Sequence, residues 1–238
     1  YNSSLTGADP LSDALKKVVS DILRRTVNDI KAMLNKYVNI NGYSFVMLMP
    51  EIVFYIRFAE LVEKIKASGV PICKANVLPT SERKCFAKNI YNLKLGIKKA
   101  SGENLDIVTN DFDFDDNRRI YILTGPNRGG KTTITQAVGL AFLMAQNGIY
   151  VPAESFEFSP CDNIYTHFPA DENDTVDLGR LGEESKRLSK IFETATSRSL
   201  LLLNESLATT NVAEGLYLAR DVVKSMRYLG VRCIFNTH

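Results

Sequence analysis

Apolar residues Val19, Leu23, Val27, Ile30, Leu34 and Val38 recur every three or four positions, with Lys16, Arg24, Arg25, Asp29 and Lys31 among them. That spacing predicts an amphipathic helix. Asn39-Ile-Asn-Gly42 reads as a turn, because glycine accepts the positive φ of a helix end. A second helix is expected from about Pro50 to Ser68, closed by Gly69-Val-Pro71 and apolar nearly all round at Ile52-Val-Phe-Tyr-Ile56. The first third is thus expected to be two long antiparallel helices, either an ordinary helical subdomain or a lever that transmits motion.

From about Phe86 the pattern changes to alternating strands and helices. Ile107-Val108 and Phe112/Phe114 read as strand positions, and Arg119-Ile-Tyr-Ile-Leu-Thr124 as a short apolar strand ending in a glycine loop. Lys131 to Gln146 predicts a helix, Ser199-Leu-Leu-Leu-Leu203 a buried strand, Val212 to Tyr228 a helix and Val231-Arg-Cys-Ile-Phe235 a further strand. Strands alternating with helices imply βαβ units, hence an α/β fold with a largely parallel sheet.

Composition narrows the class without naming a chemistry. The 238 residues are 45% hydrophobic and 24% charged, which excludes a disordered, collagen-like or disulfide-dense chain. The net charge is only +2, so any nucleic-acid contact must come from a local patch. One candidate is Lys64 to Lys99, with nine Lys or Arg against the single acid Glu82. It reads as a solvated face or as a contact to phosphate backbone, and it has too few aromatics for a single-strand stacking platform. The four cysteines form no C-x-x-C pair and the histidines are His167 and His238, so free thiols in a reducing cytoplasm are expected rather than zinc. The longest apolar stretch, Phe45 to Ile56, is broken by Pro50 and Glu51 and too short for a membrane span. There is no signal peptide, and a chain running from Tyr1 to His238 reads as a piece of a longer protein.

The strongest motif is Gly125-Pro-Asn-Arg-Gly-Gly130-Lys131-Thr132, which fits G-x-x-x-x-G-K-[ST] between an apolar strand and a helix. Glycines let the backbone N–H groups face a phosphate, and the helix adds its positive N-terminal dipole. Lys131 is expected on the β- and γ-phosphates, and the Thr132 hydroxyl on Mg²⁺. The companion is Leu200-Leu-Leu-Leu203-Asn204-Glu205, a buried strand ending where an acidic pair is expected. Asn204 replaces the first acid. Its amide oxygen can still accept from a metal-bound water but brings no charge, so weaker Mg²⁺ affinity is expected. Glu205 remains to position the attacking water. Asn236-Thr-His238 ends the last strand, placing His238 to sense the γ-phosphate.

These residues resemble the MutS-type DNA mismatch-repair ATPases, a branch of the ABC-ATPase class. Thr124-Gly-Pro-Asn-Arg-Gly-Gly-Lys-Thr-Thr133 is similar to that family's TGPNxGGKST loop, and Ala145-Gln-Asn-Gly-Ile-Tyr-Val-Pro-Ala-Glu154 to its AQxGxxVPAE segment. Asp162-Asn-Ile-Tyr-Thr166, Asn204-Glu205 and Phe235-Asn-Thr-His238 extend the likeness, which covers about 86 to 238. The resemblance implies a P-loop NTPase: a mostly parallel sheet flanked by helices, preceded by a two-helix antiparallel lever for which Phe54 to Ser68 is the best candidate. Residues 1–85 would be the lever or clamp base, and 86–238 the ATPase domain, truncated at its C-terminal end.

The site implied by the resemblance cradles ATP with Gly125, Pro126, Asn127, Arg128, Gly129, Gly130, Lys131, Thr132 and Thr133. Thr132 and, through water, Asn204 would hold Mg²⁺. Glu205, Lys131 and His238 would be catalytic. The implied assembly is a homodimer with composite ATP sites acting on mismatched or branched double-stranded DNA, with no membrane contact. Three departures mark a divergent branch. Asn204 stands for aspartate, Ser206-Leu-Ala-Thr-Thr210 replaces a glycine-bearing loop, and Leu178-Gly-Arg-Leu-Gly-Glu-Glu184 stands at the partner-facing signature. There Arg180 could act on a neighbouring γ-phosphate. The alternative reading is a nucleotide-switched DNA-binding or scaffold module with little or no hydrolysis.

Overall fold

A computed structural model describes residues 10–126, 128–168, 179–206 and 212–237. The chain divides into two compact units, Tyr1–Ala59 and Glu60–His238.

The first unit is helical. Helix α1 (Pro10–Ala67) runs on into the second unit without a break and contains Pro50. The expected antiparallel pair is therefore one continuous helix. Gly42 permits a left-handed helix end but does not require one. Continuing through it costs about 1 kcal/mol against alanine, whereas turning would forfeit several backbone hydrogen bonds. Large apolar side chains on this helix, among them Leu23, Ile30, Leu34, Phe45 and Ile56, are exposed.

The second unit holds two four-stranded sheets. The first comprises β1 (Asn76–Val77), β2 (Cys85–Ile90), β3 (Asn110–Phe114) and β5 (Ser155–Phe158), in the order β1-β5-β2-β3. β2 runs antiparallel to both β3 and β5, and β1 pairs parallel with β5. The second sheet comprises β4 (Ile120–Leu123), β6 (Ile164–His167), β7 (Leu200–Asn204) and β8 (Arg232–Asn236), all parallel in the order β4-β8-β7-β6. The second sheet is thus the expected parallel sheet flanked by helices, and the first is mixed. Ile107-Val108 lie before β3, and Val108 is exposed. The remaining helices are α2 (Leu93–Ala100), α3 (Lys131–Gln146), α4 (Gly179–Thr194) and α5 (Val212–Leu229).

β7 and β8 are buried at every position, as expected for parallel strands covered on both faces. Leu201 and Leu203 of β7 join Cys233 and Phe235 of β8 against Leu188 and Ile191 of α4 and Val222 and Met226 of α5. Leu202 points the other way, to α3. A Cβ on Gly139 would collide with its Cδ1, so glycine is what lets the helix lie this close to the strand. One turn on, α3 presents Phe142, whose ring makes edge contacts with Phe114, Phe156 and Phe158 of the first sheet. Helix α3 is the layer shared by both sheets.

One polar joint crosses that layer. Arg232 of β8 is fully buried, lies over the Phe142 ring and donates to the carbonyls of Ser159, Pro160 and Arg198. Its charge is met by carbonyl dipoles, which is how a guanidinium can be buried at tolerable cost. All four cysteines are free thiols. No described helix is long and apolar enough to cross a membrane.

Candidate functional site

The glycine loop joins β4 to α3 at the C-terminal end of the parallel sheet, where open α/β sheets place their ligands. Its backbone is contorted: φ is +142° at Gly125, +67° at Arg128 and +82° at Gly130. Gly130 sits at the N-cap of α3 and supplies no side-chain cap, and the first turn of that helix carries no acid. The uncapped N–H groups at this end are suited to an anion. Lys131 Nζ donates to the carbonyls of Gly125 at 2.7 Å and Pro126 at 3.0 Å, so its ammonium lies over the loop. Asn127 and His238 lie outside the described residues.

Beside the loop is a cavity of about 520 Å³, within the usual range for small-molecule sites. Arg128, Gly129, Gly130, Lys131 and Thr133 form one wall. Tyr91, Asn92 and Leu95, and Asp106 with Val108 and Asn110, line another side. Asn92 caps α2 through Lys94 N, and its Nδ2 donates to the Thr133 carbonyl, tying α2 to the first turn of α3. None of these neighbours, which lie at α2 and just before or at the start of β3, was legible in the glycine motif, because they are 13 or more residues away in the chain.

Behind the loop the structure brings Thr132 and Asn204 together. Thr132 Oγ1 donates to Asn204 Oδ1 at 2.9 Å. Asn236 Nδ2 donates to the same oxygen at 2.7 Å, and Thr135 Oγ1 lies 3.0 Å from Asn236 Oδ1 and 2.9 Å from the Lys131 carbonyl. Asn204 and Asn236 are partners in the β7–β8 register. Glu205 follows at the strand end with φ +50°, and its N–H donates to the Asn236 carbonyl. The turn after β7 is thereby pinned to the end of β8.

A second polar pair was not anticipated. His167, the last residue of β6, is 1% exposed, and its Nδ1 is 2.7 Å from Ser206 Oγ. Burial, helped by the nearby Arg187 charge, pushes the imidazole pKa down to about 4. His167 is therefore neutral and ties the residue after Glu205 to the neighbouring strand. Of the stretch expected as a partner-facing loop, residues 179–184 are the first turns of α4, and Arg180 is helical. Residues 207–210 of the loop after Glu205 lie outside the described residues. In the basic stretch, Lys66, Lys84 and Lys98 pair with Glu63, Glu82 and Glu103. Lys66 and Lys74 lie over the Tyr150 ring.

Residues 121–238 match the family model described as MutS domain V. The chain belongs to the MutS family. An Endonuclease MutS2 of Thermus thermophilus is 35% identical over 133 residues, 56% of this chain and 18% of that protein. A DNA mismatch repair protein MutS of Chlorobium chlorochromatii is 34% identical over 143 residues, 60% of this chain and 16% of that protein. A DNA mismatch repair protein MSH3 of Kluyveromyces lactis is 31% identical over 194 residues, 76% of this chain and 19% of that protein. The chain thus spans less than a fifth of the length of these relatives. The MutS domain match takes in nearly all of the parallel sheet and its loop.

Proposed function

We propose that this chain is the ATP-binding and hydrolysing part of a MutS-family protein acting in DNA mismatch repair or recombination. In this reading 86–238 form a P-loop ATPase domain and 1–85 a lever or clamp base. Nucleotide state is coupled to binding of mismatched or branched double-stranded DNA through a homodimer with composite sites. The free thiols fit a reducing cytoplasm.

The observation that carries the reading is the Thr132–Asn204 hydrogen bond behind a glycine loop at the head of an uncapped helix. A hydroxyl that gives its proton to Asn204 keeps its oxygen lone pairs for a cation, so these residues fit Mg²⁺. Bound Mg²⁺ would neutralise phosphate charge and orient the terminal phosphoryl group. The loop from Gly125 to Thr133 holds the phosphates with its N–H groups, and Lys131 turns its ammonium from the loop carbonyls to phosphate oxygens. Glu205 positions or deprotonates the attacking water, and His238 senses the γ-phosphate.

Lys131→Ala should abolish binding of a fluorescent ATP analogue. Glu205→Gln should preserve binding and slow turnover by about 100-fold or more. Normal turnover in the Glu205→Gln protein removes Glu205 from its role, and normal nucleotide binding by Lys131→Ala removes the loop from its own. One observation favours the second reading, a switched module with little hydrolysis: the residue that meets Thr132 is an amide, so no carboxylate charge backs the metal at that position. Tight ATP binding with negligible turnover in the unmodified protein would decide for it.

A further inference from the structure

Resting on the nucleotide reading above, the hydrogen bonds around Asn204 give Asn236 a specific task. A carboxylate has two like oxygens and accepts from a neighbouring hydroxyl whichever way it turns. An amide has one accepting end and one donating end. Where an amide stands behind Thr132, the end that meets the hydroxyl decides what Thr132 can do. With the amide oxygen toward it, Thr132 donates its proton and keeps its lone pairs for a cation. With the amide nitrogen toward it, Thr132 spends a lone pair on that N–H and turns its own proton to the cation side.

The structure has the first arrangement, and a second amide enforces it. Asn204 Oδ1 accepts from both Thr132 Oγ1 and Asn236 Nδ2. Asn236 is itself fully buried, and its oxygen faces the hydroxyl of Thr135, a buried residue one turn along α3 from Thr132 whose single proton is shared between that oxygen and the Lys131 carbonyl. With that oxygen turned to α3, the donating end of Asn236 is the one that meets Asn204. Turning Asn204 over would set its N–H₂ against that of Asn236, donor against donor, in a site closed to water.

We infer that Asn236 is a positioning residue for the Mg²⁺ site: it fixes Asn204 with its oxygen toward Thr132, and so lets a neutral amide work where the acidic pair would have a carboxylate. Thr132, Thr135, Asn204 and Asn236 thus act as one unit, and the amide at 204 is tolerable because of the amide at 236.

The test is a Mg²⁺ titration of the binding of a ribose-labelled fluorescent ATP to the full-length protein, with binding in EDTA as the metal-free reference. Asn236→Ala should raise the Mg²⁺ concentration for half-maximal tightening by about 10-fold, the size typical of losing a group that orients a metal ligand. In an Asn204→Asp background the same change should have an effect below about 2-fold, because a carboxylate needs no orienting. Asn236→Asp, close in shape to the native residue, can accept but not donate and should draw the Asn204 N–H₂ toward itself. It should weaken Mg²⁺ coupling, whereas negative charge near a cation acting alone would tighten it. This variant also covers a failure of the alanine protein to fold. Equal shifts with and without the Asn204→Asp change, or tighter Mg²⁺ coupling in Asn236→Asp, overturn the inference while leaving nucleotide binding intact. Absence of labelled-nucleotide binding by the unmodified protein, with or without Mg²⁺, overturns the nucleotide reading itself and the inference with it.

Discussion

At the residue scale, burial sets what each polar group can do. His167 titrates at about 4 in the fold against an ordinary value of 6.5, so between those limits the unfolded chain binds the extra proton. The stability it contributes is complete above pH 6.5 and is lost as pH falls toward 4, to a total of about 3 kcal/mol. A denaturant-midpoint series over that window should show a shallower slope for His167→Gln than for the unmodified protein. Equal slopes would mean that other groups dominate acid sensitivity. The phosphate-loop residues were legible in the sequence because their chemistry depends on local spacing. The His167–Ser206 and Thr135–Asn236 pairs were not, since their members stand 39 and 101 residues apart and meet only once the strands are in register.

At the element scale, the long apolar runs were readable and the breaks were not. The bounds Lys131–Gln146 expected for α3 are those observed, and β7 and β8 lie within a residue of expectation. These segments are buried on several sides, so packing and pattern agree. Gly42 misled because a single glycine offers a turn without imposing one, and α1 continues through it. The first sheet was hidden because β1 and β5 are short and β5 pairs with β2 across about 70 residues of chain. Gly139 shows the opposite case, a glycine whose reason is packing rather than turning. Gly139→Ala should destabilise the protein by about 1–3 kcal/mol, because the added methyl must displace Leu202 beneath α3. A thermal midpoint that rises, as helix propensity alone would predict, would contradict the close packing.

At the scale of the whole molecule, every buried core residue among those described lies at Val62 or later, while the large apolar side chains of α1 described from Val18 to Ile56 are exposed. A chain beginning at Glu60 should therefore keep one cooperative thermal transition within a few degrees of the longer chain. Loss of cooperativity would show that the first unit carries part of the core. Within the second unit, the Arg232 joint has a further consequence for how the protein yields. Its acceptors are main-chain carbonyls, which neither titrate nor attract counterions, and although burial lowers the guanidinium pKa from its ordinary value, acid only favours the charged form. Neither acid nor salt has a handle on it. A fastening built on carboxylates would loosen as it is protonated, and a surface ion pair would fade with ionic strength. In acid, therefore, the Arg232 joint between the sheets stays made, while the buried His167 beside Ser206 takes up its proton, so acid acts at the end of β6 and not at that joint.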